Sequence, residues 1–410
     1  MGWVTEHPPS GADINTCIQC GLCLPACPTF RLTGREDQSP RGRLTAMAAV
    51  DAGAELDATV EHILDTCLGC RACEAICPSL VPYGEIIEAA RSEIAEQRGG
   101  SRLRRLAVSG ALRRPGWLGA ASMGASTLQR LRMSWAVPSR LRTGFSGLRE
   151  LAGRGRRFRG GAWEPDGDPV ATIGLQTGCV MDEWFRPVHA AVVDVLTAAG
   201  YRVVAPGSQT CCGALAAHDG DRAGAEDMAA VNVAAFADVD LIVSDAAGCG
   251  AHLRGYGHLV EGGDDFAGRV RDVTEVVAEA IADGRLPTLP PGGGRVAVQD
   301  PCHLRHAQRV TEAPRAILVA AGLEPVEIDP AGLCCGAAGA YSVIHPETSA
   351  ELGRRKAAQI AAAGTEVVAS ANPGCEMQLR AHTATRVAHP VELYAEALAA
   401  ADPGRYRPRR

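Results

Sequence analysis

Sixteen cysteines in 410 residues are the groups able to do chemistry in this chain. Eight stand in two runs near the N-terminus. Cys17, Cys20, Cys23 and Cys27 precede Pro28; Cys67, Cys70, Cys73 and Cys77 precede Pro78. Both read C-x2-C-x2-C-x3-C-P, the bacterial ferredoxin run, in which the fourth cysteine serves the other cluster. Three thiolates at steps of three wrap a short loop around one iron–sulfur cube. The fourth is carried on to the neighbouring cube. The spacing therefore predicts one [4Fe-4S] cluster on Cys17, Cys20, Cys23 and Cys77, and a second on Cys67, Cys70, Cys73 and Cys27. Gly21 and Gly69 allow close backbone approach. Ile18, Leu22, Leu24, Leu68 and Ile76 are expected to keep water from the clusters. Paired C-x2-C motifs also bind zinc, but two complete runs, each with its proline, favour iron.

The other eight cysteines form an internal repeat. The first copy is Cys179, then Cys211-Cys212-Gly213, then Cys249; the second is Cys302, then Cys334-Cys335-Gly336, then Cys375. In both copies 31 residues separate the first cysteine from the pair, and the copy-to-copy offsets are 123, 123, 123 and 126. A duplication with one three-residue insertion produces that series. Each copy offers four thiolates, enough for an iron–sulfur cluster, for a closed zinc site or for a catalytic dithiol. All three chemistries stay open for these eight, with iron–sulfur favoured. Recurrence of the pairs at fixed spacing argues against inert core thiols.

The elements that must position these cysteines follow a common layout. A strand (170–176; 296–299) runs into the first cysteine. A helix (187–199; 312–321) and a strand (202–205; 325–328) lead to the Cys-Cys-Gly turn. A helix (221–236; 346–362) and a strand (241–244; 366–369) lead to the last cysteine. Strands alternating with helices imply parallel sheets, with the cysteines just beyond strand ends, where ligands of open α/β sheets collect. The fold class is thus α+β / α/β: a small helical two-cluster ferredoxin-like domain (1–98), an arginine-rich helical connector (99–165), and a duplicated α/β Cys-Cys-Gly unit (166–290 and 291–410).

Composition narrows the function classes. The chain is 46% hydrophobic and 21% charged, as globular proteins are. Its net charge of -6 argues against a nucleic-acid partner. No secretory signal opens the chain and no run of 18 apolar residues crosses a membrane. The expected location is therefore the cytoplasm, where thiols are kept reduced, with a peripheral position at the inner face of the membrane also considered. No phosphate-binding glycine loop stands between a strand and a helix. No Ser-His-Asp or paired-carboxylate constellation is defensible, so no catalytic residue is assigned.

The motifs resemble those of the iron–sulfur subunits of glycolate dehydrogenase (glycolate oxidase). These belong to the wider Cys-Cys-Gly family that includes heterodisulfide reductase and lactate-utilisation subunits. The resemblance covers nearly the whole chain. It rests on Cys27-Pro-Thr-Phe30, Ser39-Pro-Arg-Gly-Arg43, Cys211-Cys-Gly-Ala-Leu215 with His218, Ala247-Gly-Cys-Gly250, Cys302-His-Leu-Arg-His-Ala-Gln308, and Leu333-Cys-Cys-Gly-Ala-Ala-Gly339 with Tyr341 and His345. It implies a complex whose FAD-containing subunits oxidise glycolate to glyoxylate, while this chain passes electrons towards a quinone or respiratory acceptor. An equivalent subunit for D-lactate, 2-hydroxyglutarate or glycerol-3-phosphate, and a non-catalytic redox or metal-binding assembly scaffold, are the alternatives. The heterodisulfide reductase branch carries a further cysteine where Ala246 and Asn372 stand here, so a five-thiolate cluster is not implied.

Four histidines, His218, His303, His306 and His345, lie near the repeat cysteines, where histidine ligates metal, moves protons or caps a turn. Residues 101–160 hold 14 arginines and one acidic residue. Leu103, Leu106, Leu112, Trp117, Leu118, Leu128, Leu131 and Trp135 are interleaved with them, which predicts amphipathic helices around Pro115 and Pro138. Such a segment suits a solvated connector, or contact with anionic lipid or an acidic partner subunit.

Overall fold

The computed structural model describes residues 2–97, 110, 115–151 and 155–406. Leu103, Leu106 and Leu112 of the connector lie outside the described residues.

The N-terminal domain is helical. Pro28 occupies the first position of helix Pro28–Thr33 with Cys27 as its N-cap, so the motif's proline starts a helix where a missing N–H costs nothing. Ser39 and Asp57 cap helices Pro40–Asp51 and Ala58–Asp65 by accepting backbone N–H bonds. Helix Tyr83–Gln97 closes the domain. Ile14, Leu44, Met47, Leu64, Ile86 and Ile87 pack with Cys67 and Cys73 into one core. The thiols are therefore buried by the same side chains that hold the helices together.

Two sheets follow. The first has the order β1-β3-β2-β4-β5 (Ala162–Trp163, Arg202–Val204, Thr172–Leu175, Leu241–Ser244, Val270–Asp272). It is parallel except for β1, which runs antiparallel to β3. The second has the order β7-β6-β8-β9 (Glu324–Glu327, Arg295–Val298, Val367–Ala369, Arg386–Ala388) and is wholly parallel. Without β1 the two orders are the same, as a duplication requires. The sequence anticipates three strands in each copy. The edge strands β1, β5 and β9 were not anticipated: each is two or three residues long, too short to show an apolar period.

Helices Arg186–Ala198 and Val273–Ala282 of the first copy pack against Glu312–Ala320 and Pro390–Ala401 of the second. Residues from Ile173 to Leu398 form a single core cluster across both copies. The repeats therefore share their interior, and their strand ends are held at a fixed mutual distance.

Candidate functional site

In the N-terminal domain each cysteine loop has two left-handed positions: Gln19 and Gly21 in the first, Gly69 and Arg71 in the second. The glycines fill only one of the two in each loop, and Gln19 and Arg71 take the strained backbone. Cys27, Cys67, Cys70 and Cys73 line one small cavity. Burial first, then the nearby sulfurs of Cys70, Cys67, Cys27 and Cys23, push the Cys73 thiol well up. Burial and Cys302 do the same to Cys70. Four crowded thiols ionise only when a cationic centre joins them, which is the chemistry of a cluster ligand set. Cys17, Cys23 and Cys77 are half-buried against the same core, and Cys20 is exposed.

Arg43 is the site residue to which sequence reasoning assigned no role. Its guanidinium is buried. Nε donates to Ile63 O at 2.8 Å, and Nη2 donates to Thr29 Oγ1 at 3.1 Å and Thr66 Oγ1 at 3.2 Å. Nη1 lies 3.9 Å from Cys27 Sγ. None of these partners is a carboxylate. Burial opposes its charge, while Cys67, Tyr83 and Cys27 favour it. A buried cation among neutral acceptors and cysteine sulfurs fits an anionic thiolate–iron cluster on Cys27, Cys67, Cys70 and Cys73. The only earlier signal was its place in Ser39-Pro-Arg-Gly-Arg43.

Isoleucine and leucine placement departs from expectation. Leu68 is buried and Leu24 half-buried, but Ile18, Leu22 and Ile76 are exposed. They do not seal their loop. Packing covers the loop from Cys67 to Cys73 and leaves the loop from Cys17 to Cys23, with the Cys77 end of the second run, nearer the surface.

In the repeats, every first cysteine caps the turn after the central strand: Cys179 follows β2 and Cys302 follows β6. The Cys-Cys pairs follow β3 and β7, and Cys249 and Cys375 sit in the first turn of helices Ala247–Leu253 and Pro373–Arg380. Gly213 and Gly336 turn the pairs inward with φ of 90° and 91°. A Cβ on Gly336 would meet Ser349 O at 2.7 Å, so only glycine fits there. Cys179 Sγ lies 3.4 Å from Cys211 Sγ. Hydrogen bonds from Cys179 and Cys212 hold the Cys211 thiol well below its usual range; hydrogen bonds from Cys334 and Cys375 do the same for Cys335. Thus Cys179, Cys211, Cys212 and Cys249 converge, as do Cys302, Cys334, Cys335 and Cys375. The thiols are free and hydrogen-bond to one another, and among the described residues no three ligand side chains surround a single-ion centre.

The two quartets do not have separate pockets. All eight cysteines line one chamber of about 450 Å³, with Leu118, Met181, Trp184, Ile344 and Met377 making its wall apolar. Ala247 N donates to Ala371 O at 3.0 Å, and Gly248 N donates to Asn372 Oδ1 at 3.1 Å, joining the loops of the two last cysteines. Cys334 packs with Leu68, Cys70 and Tyr341, and Cys302 lies against the same cluster. The second quartet thus abuts the buried cysteine set of the N-terminal domain.

The histidines mostly tie the parts together. His303 Nε2 pairs with Gly69 O at 2.9 Å, His345 Nε2 with Asp65 at 3.0 Å, and His218 Nδ1 with Glu88 at 2.8 Å. His306 instead pairs with Gly332 O in its own repeat at 2.9 Å.

The connector helices Pro115–Arg130 and Ser139–Gly147 carry exposed Trp117, Met123 and Leu141, and the turn between them carries exposed Leu131 and Trp135. Arg149 anchors this segment to Glu376 and Glu392 through four hydrogen bonds of 2.5 to 2.7 Å. Among the described residues no helix is long and apolar enough to cross a membrane.

Comparison with known proteins matches residues 13–81 to a 4Fe-4S dicluster domain, and residues 173–254 and 296–380 to the Cysteine-rich domain. A Bacillus subtilis protein described as "Probable glycolate oxidase iron-sulfur subunit" is 33% identical over 90% of this chain and 88% of its own length. The chain belongs to the glycolate oxidase iron-sulfur subunit family. The Escherichia coli glycolate oxidase iron-sulfur subunit is 28% identical over 94% of both chains. Lactate utilization protein A of Oceanobacillus iheyensis is 26% identical over 50% of this chain. In this family setting the dicluster match marks the two N-terminal runs as the [4Fe-4S] region, and the repeated match marks both Cys-Cys-Gly copies.

Proposed function

We propose that this chain is the electron-transfer subunit of a flavin-dependent glycolate dehydrogenase. In this reading FAD-containing subunits oxidise glycolate to glyoxylate. Electrons enter at a [4Fe-4S] cluster on Cys17, Cys20, Cys23 and Cys77. They move inward to a second on Cys67, Cys70, Cys73 and Cys27, and leave through the chamber. There Cys179, Cys211, Cys212, Cys249, Cys302, Cys334, Cys335 and Cys375 hold further cluster iron or zinc. The observation that carries this reading is the contact of Cys70 with Cys334 and its neighbour Cys302. It supports a path from the N-terminal cysteine sets, which share one core, to the chamber.

The acceptor is a quinone-class molecule, in keeping with the apolar chamber wall. The exposed tryptophans and arginines of the connector rest on an anionic membrane at its cytoplasmic face. The functional units divide near residues 98, 165 and 290. A related 2-hydroxy acid, D-lactate foremost, is the second reading, favoured by the lactate utilization relatives.

The test is anaerobic purification with the flavin subunits. More than eight irons per chain are expected. Cys335→Ser should lower that count and slow acceptor reduction, while glycolate still reduces the flavin. Eight irons unchanged by Cys335→Ser would remove iron from the repeats. D-Lactate outcompeting glycolate would replace the substrate. Liposome binding indifferent to salt and to Arg→Gln changes would remove the membrane contact.

A further inference from the structure

The two N-terminal cysteine runs are related by an offset of 50 residues, so their loops are equivalent position by position. Their surroundings are opposite. In the second run Leu68 is 8% exposed, and with Cys70 and Ala72 it packs beneath Cys334, Tyr341 and Leu352 of the second repeat. That face is an interface between one redox centre and the next. In the first run the equivalent face is bare. Ile18 is 68% exposed and Leu22 is 53% exposed, standing where Leu68 and Ala72 stand in the sister loop. Ile76 and Leu80 flank Cys77 and are 47% and 74% exposed. Cys17, Cys23 and Cys77 pack against one core, and the four exposed aliphatic residues stand within three positions of these cysteines in the chain.

Two further observations bear on what covers this face. Cys20 is the only exposed cysteine of the sixteen. A protein that exchanges electrons directly with a cluster therefore approaches closest here, because the other sulfurs are covered or half-covered. Leu80 has φ of 53°, a left-handed conformation that a leucine adopts only at a cost. The strain holds an apolar side chain out in water, where folding gains nothing from it.

We infer that Ile18, Leu22, Ile76 and Leu80 form the docking surface for the electron-donating flavoprotein subunit, seated over Cys20. This rests on the proposed electron-transfer function and adds the place at which electrons enter. The surface takes the donor as the sister loop takes the second repeat: a small apolar contact excludes water and brings the two centres together. Each passage carries one electron. Two electrons leave one reduced flavin in succession, and its two protons are released within the flavoprotein.

The experiment uses the complex co-expressed with its flavoprotein. Ile18→Asp and Leu22→Asp replace exposed side chains, so folding is spared; iron content and reduction by dithionite report that directly. Both variants should retain iron and dithionite reduction, bind the flavoprotein at least tenfold more weakly, and lose at least tenfold in substrate-driven cluster reduction. Val319→Asp, at an exposed valine elsewhere, should change neither. Unaltered flavoprotein binding and substrate-driven reduction in both variants would overturn the proposal. So would loss of liposome binding or of self-association with flavoprotein binding intact. A wild-type complex inert to 2-hydroxy acids, whose flavoprotein still dissociates on Ile18→Asp, would refute the substrate reading and support this surface.

Discussion

Asn372 accepts a hydrogen bond from the Gly248 amide at 3.1 Å, and its own Nδ2 donates to Cys375 Sγ at 3.4 Å. One side chain thus joins the last-cysteine loop of the first repeat to a sulfur of the second. At the corresponding place in the first repeat stands Ala246, which has no side-chain polar atom. The two quartets face one chamber but are not chemically equivalent.

Crossed ligation gives a direct test. Cys27→Ser should perturb the cluster whose other ligands are Cys67, Cys70 and Cys73, and Cys20→Ser should perturb the other. EPR of the two variants reads this. Changes confined to one and the same signal in both would sink the assignment.

Arg43 should set the potential of the inner cluster. Its charge favours the reduced, more negative state. Arg43→Gln should lower that cluster's potential by about 60 mV or more, the one-electron equivalent of a tenfold change in equilibrium constant. Redox titration of the two EPR signals reads the shift. A potential that stays in place would show that Arg43 serves packing alone.

The connector is held by Arg149, whose loss leaves two buried carboxylates together. Glu376 and Glu392 side chains are 2% and 10% exposed. Arg149→Ala should therefore destabilise the protein by about 3–5 kcal/mol. Adding Glu376→Gln and Glu392→Gln should restore part of this, because neutral amides tolerate burial better. Chemical denaturation of the wild type and the two variants measures it; equal stability throughout would mean the clamp contributes nothing.

Acid should weaken the fold in a defined window. Burial lowers His252 and His389 to about 4. Both are neutral in the folded chain, and Nε2 of each has no hydrogen-bond partner among the described residues. The unfolded chain takes up protons near pH 6.5. Stability from these groups is therefore complete above 6.5, erodes as pH falls towards 4, and levels off below. The slope is at most about 1.4 kcal/mol per pH unit for each histidine. His389 Nδ1 caps helix Pro390–Ala401 through Val391 N at 3.2 Å. His389→Asn should keep that cap and flatten the slope. Melting temperatures at pH 7, 5.5 and 4.5 provide the check.

Spacing alone determined a great deal here. The two runs ending in Cys27-Pro28 and Cys77-Pro78 imply paired clusters because ligand number and loop length are properties of the chain. The constant 31-residue separation implies duplicated strand–helix units for the same reason. The helix 312–320 and the central strands were legible from apolar pattern, since burial imposes a period on sequence. What tertiary structure decided is relational. Nothing in the spacing says that Ile18 is exposed and Leu68 covered, since the two loops read alike until the second repeat packs on one of them. Arg43 has no role legible in the sequence, and acquires one only where Thr29, Thr66 and Cys27 close around it. Two quartets 123 residues apart share a chamber because helices of both copies build one core, and that long-range packing leaves no local period in the sequence.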